Sequence, residues 1–143
     1  STNIINFNEG FYIGKTNKYG YYGPDYDTIK SEGSLRIALI GDSYVEGHQV
    51  FDRNHFRFLL EKNLTDKFKS KVEVLNFGRS GFNINDSYCY YNNFVKSFNP
   101  DLTLIFISDE DMIIDTDIDR KPMAKFENNK LKIDYSFKNS KPN

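Results

Sequence analysis

The sequence predicts an α/β domain: an open parallel sheet with helices packed on its faces. Two observations carry that expectation. Short apolar runs recur at RIALI (Arg36 to Ile40), VEVLNF (Val72 to Phe77) and LTLIFI (Leu102 to Ile107), each followed by a polar or Gly-rich turn. Between them lie stretches with helical rather than alternating periodicity. Strands that alternate with helices of this length form βαβ units and hence parallel sheets.

Each element has its own warrant. Residues 1–33 are rich in Asn, Gly and Tyr, and NKYGYYGPDY (Asn17 to Tyr26) holds Gly20, Gly23 and Pro24. Such residues punctuate turns, so this part is expected to be an irregular amino-terminal extension laid over the core. The α/β domain occupies residues 34–143. Its first strand, RIALI, is nearly continuous in apolar residues, as suits a strand buried on both faces. In the first helix Phe56, Leu59, Leu60 and Leu64 repeat at helical spacing, with Arg57, Glu61 and Lys62 elsewhere around the turn. A second helix is expected from about Asp86 to Phe98, with Tyr88, Tyr91, Val95 and Phe98 on one face. Asn85 or Asp86 is its candidate N-cap, and Pro100 stops it. Near the end, Ala124 and Phe126, then Leu131, Ile133 and Tyr135, alternate around Asn128-Asn129. That pattern reads as a β-hairpin, because Asn tolerates the positive φ of tight turns.

Bulk composition narrows the function classes. A chain of 143 residues with 38% hydrophobic and 27% charged residues has the make-up of one ordinary globular domain. Its 19 basic and 20 acidic residues balance, which gives no electrostatic reason to expect nucleic acid or an anionic membrane as partner. No apolar run is long enough to span a bilayer. Compartment and oligomeric state stay open. Aromatic residues reach 16%, and filling the core is their simplest use. The single Cys89 excludes an internal disulfide and reads as a small hydrophobe on a helix.

Ligands of open α/β sheets bind beyond the carboxyl ends of the strands. Three segments end there: GDSYVEG (Gly41 to Gly47), FGRSGFN (Phe77 to Asn83) and SDEDM (Ser108 to Met112). A serine on a strand-to-helix turn exposes its hydroxyl beside free backbone N–H groups, which suit a developing oxyanion. Gly81 would let the second turn bring another N–H to the same point.

These motifs resemble those of the SGNH/GDSL serine hydrolases, which have a flavodoxin-like α/β fold. GDSYVEG after RIALI is similar to the family's first motif, which implies Ser43 as nucleophile. VLNFGRSGFN resembles the second, whose glycine supplies an oxyanion N–H. Alignment on Asn76 assigns that role to Gly81, with Gly78 as the competing choice. NPDLTLIFISDEDM resembles the strand leading to the third motif, normally Gly-x-Asn-Asp, and NKYGYYGPDY is similar to a segment preceding the nucleophile strand in some bacterial members. The resemblance spans roughly Asn17 to Met112. It implies hydrolysis or transfer of acyl groups from a small-molecule or carbohydrate ester, with no metal or organic cofactor.

Two departures stand against full activity. Where the family places an Asn amide as oxyanion donor, this chain has Glu110, followed by Asp111. An ionised carboxylate donates no hydrogen bond, and losing one such donor costs about 100- to 1,000-fold in rate. The family's late DxxH motif, which supplies the base, does not occur in this sequence. Its two histidines are His48 and His55, neither expected to turn its ring back to Ser43. Only about three strands are visible where family members build about five. The sequence therefore reads as a partial domain, incomplete at the carboxyl end. The rival expectation is a degenerate, non-catalytic SGNH-like binding module.

Other patterns are weaker. Asp115, Asp117 and Asp119 have the spacing that opens an EF-hand loop, but Arg120 and Phe126 occupy the positions needing Gly and Glu. Asn63-Leu64-Thr65 and Asn85-Asp86-Ser87 match the glycosylation pattern, a frequent coincidence in an Asn-rich chain.

Overall fold

The computed structural model describes residues 4–6, 10–12, 16–112 and 121–139. The acidic stretch with Asp115, Asp117 and Asp119 lies outside the described residues. Two short antiparallel strands, β1 (Ile4–Asn6) and β2 (Gly10–Tyr12), pair near the amino terminus, a feature the sequence reading lacks. The centre is a three-stranded parallel sheet of β3 (Leu35–Gly41), β4 (Val72–Gly78) and β5 (Leu102–Ile105). Its order is β4-β3-β5, so the strand that leads into Ser43 is the middle one.

Alternation along the strands gives the sheet two apolar faces. Ala38 and Ile40 of β3 join Leu75 and Phe77 of β4 on one face, with Tyr21, Tyr26, Val95 and Phe98 above them. Ile37 and Leu39 join Val72 and Val74 on the other, covered by Val45, Phe56, Leu60 and Leu64. The first face is covered by helix α3 (Ile84–Asn93), the 3-10 turn Val95–Phe98 and the extension. The second is covered by the short helix α1 (Ser43–Glu46) and by α2 (Phe56–Phe68). A parallel sheet clad on both sides accounts for the near-continuous apolar runs of β3 and β4.

The extension reaches into this core. Tyr21 is 3% exposed, with Phe77 edge-on at 5.3 Å, and the buried Tyr26 donates its hydroxyl to the Val74 carbonyl at 2.8 Å. Arg36 ties the same segment down. Its buried guanidinium donates to the carbonyls of Asp27 (3.0 Å) and Phe98 (2.7 Å) and pairs with Glu73 at 2.7 Å.

Three local expectations need correction. Leu59 is exposed, so the partly buried stripe that α2 packs on the sheet is Phe56, Leu60 and Leu64, at strict i+4 spacing. Arg57, placed away from the apolar stripe, is 1% exposed; Asp52 pairs with it at 2.7 Å and Glu61 at 3.7 Å. The second helix is capped by Asn83, which forms a capping box with Asp86, and it breaks at Phe94 into a 3-10 turn. Asn85, a candidate cap in the sequence, is buried instead. Its side chain accepts from the Ala124 N–H and donates to the Pro122 carbonyl, docking the downstream chain on α3. That chain forms the antiparallel hairpin of β6 (Met123–Glu127) and β7 (Lys130–Asp134), turning at Asn128 and Asn129 with φ of 51° and 57°.

The two sheet edges differ. On the β4 edge, side chains of α2 take the outward N–H groups: Val72 donates to Thr65 Oγ1 (3.2 Å) and Val74 to Glu61 Oε2 (2.8 Å). The β5 edge is half-exposed, with Leu102, Ile105, Phe106 and Ile107 between 42% and 48% accessible. No helix among the described residues is long and apolar enough to cross a membrane.

Candidate functional site

The register brings the three sequence motifs to one edge. Gly41 lies opposite Gly78, and Ile40 lies opposite both Phe77 and Ile105. The loops that follow therefore start level with one another. Phe106 continues the pairing through its N–H to the Ile40 carbonyl (2.9 Å), and Arg79 donates to the Gly41 carbonyl (2.9 Å).

Ser43 is the first residue of α1, directly after Asp42, whose carboxylate caps the helix by accepting from the Tyr44 N–H at 2.9 Å. The Ser43 side chain is half-buried and makes no hydrogen bond among the described residues. Its carbonyl accepts from Gly47, which ends the helix in the left-handed region at φ 63°. The turn is tight because glycines flank it. A Cβ on Gly41 would stand 2.5 Å from Val45 Cγ2, and one on Gly78 only 2.2 Å from the Glu46 nitrogen.

The second loop is fastened to α1 by a carboxylate that sequence reasoning missed. Glu46 accepts from both the backbone N–H (2.8 Å) and the hydroxyl of Ser80. Asn76, 1% exposed, completes the link: its amide donates to the Glu46 carbonyl (3.3 Å) while its Oδ1 accepts from the Gly78 N–H (2.9 Å). A polar residue interrupting an apolar strand was the available signal for Asn76; nothing in the sequence marked Glu46.

Within the loop the N–H groups of Gly78, Arg79, Ser80 and Phe82 are all engaged. Among the described residues the Gly81 N–H has no acceptor, and Gly81 sits exposed at φ +80°. Gly78, the competing choice, is buried against α1 with its N–H spent on Asn76. An N–H that is free and exposed is the kind that can receive an oxyanion.

Glu110 opens the 3-10 turn Glu110–Met112 and is exposed, without a hydrogen bond among the described residues. Its neighbour Asp111 holds the turn, accepting from the N–H (2.7 Å) and hydroxyl (2.9 Å) of Ser108. The third loop thus starts beside Ser43's strand, but among the described residues Glu110 makes no hydrogen bond with Ser43 or Gly81.

The histidines serve other ends. His55, 3% exposed, is the N-cap of α2: its Nδ1 accepts from the Arg57 N–H (3.1 Å). That bond leaves Nε2 to carry the proton and donate to the Glu46 carbonyl at 3.3 Å. The ring presses on Gly47, where a Cβ would come within 2.3 Å of Nε2. His48 lies 3.8 Å from Glu46 through Nδ1 and makes no hydrogen bond to Ser43 among the described residues.

Burial lowers the His55 pKa below its ordinary value of 6.5, against the opposing hydrogen bond to the Glu46 carbonyl. A base whose folded pKa is depressed binds fewer protons in the native state than in the unfolded one. Its contribution to stability is therefore full above pH about 6.5 and is lost as pH falls through the lowered folded value. Protonation of Nδ1 would also remove the cap. Urea midpoints are expected to fall between pH 7.5 and 5.5, and His55→Asn, which keeps a capping oxygen, should flatten that decline. An unchanged slope in His55→Asn would assign the titration elsewhere.

No family model, curated protein or solved structure matches this chain. The site therefore stands on its own geometry.

Proposed function

We propose that the chain is an SGNH/GDSL-type hydrolase domain that acts on acyl esters through Ser43. The observation that carries this reading is the placement of Ser43. It begins a helix at the end of the central parallel strand, and the Gly81 loop is pinned to that same helix through Glu46 and Asn76. In this reading Ser43 Oγ attacks the ester carbonyl and gives up its proton to a base. The Ser43 and Gly81 N–H groups receive the negative charge that develops on the carbonyl oxygen.

The base is the missing part. His55 is fixed as a helix cap and His48 faces Glu46, so neither completes a Ser–His pair. The half-exposed apolar β5 edge, across the sheet from a β4 edge satisfied by α2, fits a sheet that continues past β5 in a complete domain. A DxxH-bearing segment there would supply the proton acceptor.

On this reading the 143-residue chain alone hydrolyses a chromogenic acetate at most marginally, since a general base is worth roughly 100- to 10,000-fold. Whatever rate remains should vanish in Ser43→Ala. A rate indifferent to Ser43→Ala would refute the nucleophile assignment; robust Ser43-dependent turnover would refute the missing base and direct attention to His48. The second reading, a non-catalytic binding module, is favoured by the exposed Glu110 carboxylate at the place of a donor. It requires that no added segment or base restores a Ser43-dependent rate.

A further inference from the structure

The second loop has another flank, turned toward α3 rather than α1. Between this flank, α3 and the chain at Lys121 and Pro122 lies a cleft of about 440 Å³. That size falls in the range of small-molecule sites, which combine apolar walls with a few placed polar groups.

The lining is of two kinds. Phe82 and Tyr90 pack edge to face at 5.3 Å and, with Pro122, give an apolar, aromatic surface. Arg79 and Lys121 bring positive charge, against Asp86 as the one carboxylate in the lining. Asp86 is already committed: it pairs with Lys121 at 3.1 Å and accepts from the Asn83 N–H at 3.3 Å in the capping box. Arg79 is exposed and has no carboxylate partner among the described residues. Its guanidinium lies 5.6 Å from the ring centre of Tyr21, a buried side chain itself packed against Phe77 and Tyr90. A cation held over a fixed aromatic face is oriented before any ligand arrives, so less entropy is lost on binding.

We propose that this cleft binds a small organic anion. Its planar apolar body lies against Phe82 and Tyr90, and its carboxylate or sulfonate meets Arg79, the cation of the lining that has no carboxylate partner among the described residues. The proposal goes beyond the ester-cleaving reading and does not rest on it: the cleft borders Gly81, but Ser43 is not among its lining residues.

The test is an NMR titration of backbone amides with benzoate, benzyl alcohol and benzylamine, three probes that share a ring and differ in charge. Benzoate is expected to shift the Gly81, Phe82 and Tyr90 amides saturably, binding roughly tenfold tighter than benzyl alcohol, as one charge-assisted hydrogen bond allows. Benzylamine should bind no tighter than the alcohol. Arg79→Met should bring benzoate down to the alcohol's affinity, while Lys132→Met, on β7 and outside the cleft lining, leaves it unchanged. Ser43→Ala should also leave it unchanged, which separates this outcome from any failure of the hydrolase reading. Equal affinity for the three probes, tighter binding of the amine, or indifference to Arg79→Met would overturn the proposal.

Discussion

Arg36→Met is expected to destabilise the protein by about 3–5 kcal/mol, the cost of breaking a buried ion pair by removing one partner. The Arg36 side chain is 2% exposed and ties the extension, β4 and the turn after α3 to one group. Its Nε and one terminal nitrogen grip Glu73 on β4 at 2.8 and 2.7 Å. The other terminal nitrogen donates to the carbonyls of Asp27, Thr28 and Phe98, at 3.0, 3.3 and 2.7 Å. Methionine fills similar volume but leaves those carbonyls without their donor and Glu73 dependent on Lys71. Although burial pushes the Glu73 carboxyl up, hydrogen bonds from Lys71 and Arg36 hold it below the usual range. Arg36→Lys should recover less than half of the loss, because a single ammonium cannot reproduce the planar fork. The measurement is thermal or urea denaturation, with a fall in midpoint of roughly 10 °C expected for Arg36→Met. A change under about 1 kcal/mol would mean that the extension is held by its tyrosines alone.

That Arg36 matters so much could not be read from the sequence, and the reason is instructive. It opens the apolar run RIALI, where a charged residue looks like a solvated strand end. Most of its partners are backbone carbonyls, which leave no residue pattern to read. Arg57 hid in the same way: its neighbours Asp52 and Glu61 bracket it in the sequence, but burial came from Tyr26 on a distant loop. Periodicity, by contrast, reports what faces a sheet or helix. It located the three parallel strands and the Asn128-Asn129 turn, because each rests on local spacing or on a residue suited to positive φ. At the site, the turn after β3 and the Gly81 loop were visible as motifs. The clamp between them was not, since Glu46 and Ser80 meet only once the strands are in register. The Arg79 cleft was equally invisible, being assembled from a loop, a helix flank and a segment far downstream.

Gly78→Ala is expected to disrupt the Ser43 turn more than any other single-methyl change near it. The φ of Gly78 is not in the left-handed region, so alanine meets no backbone strain there, and the whole effect is steric. A Cβ would sit 2.2 Å from the Glu46 nitrogen, 2.4 Å from the Val45 carbonyl carbon and 2.8 Å from the Glu46 Cα. All three are backbone atoms of α1 that cannot rotate away, so the helix and strand must separate. Overpacking of this kind costs about 1–3 kcal/mol or more. The displaced helix carries Ser43 at its start and Glu46 at its end, so the link to Ser80 should be lost with it. Gly81→Ala is the contrasting variant. Nothing lies within 4 Å of its Cβ, and its φ of +80° makes alanine pay only backbone strain, on the order of 1–3 kcal/mol. Amide chemical shifts separate the two mechanisms. Gly78→Ala should move the resonances of residues 43–47 and 76–80 together, whereas Gly81→Ala should confine its changes to the second loop. Unmoved α1 resonances in Gly78→Ala would show that α1 and β4 do not pack this closely, and the clamp that holds the two loops together would fall with that contact.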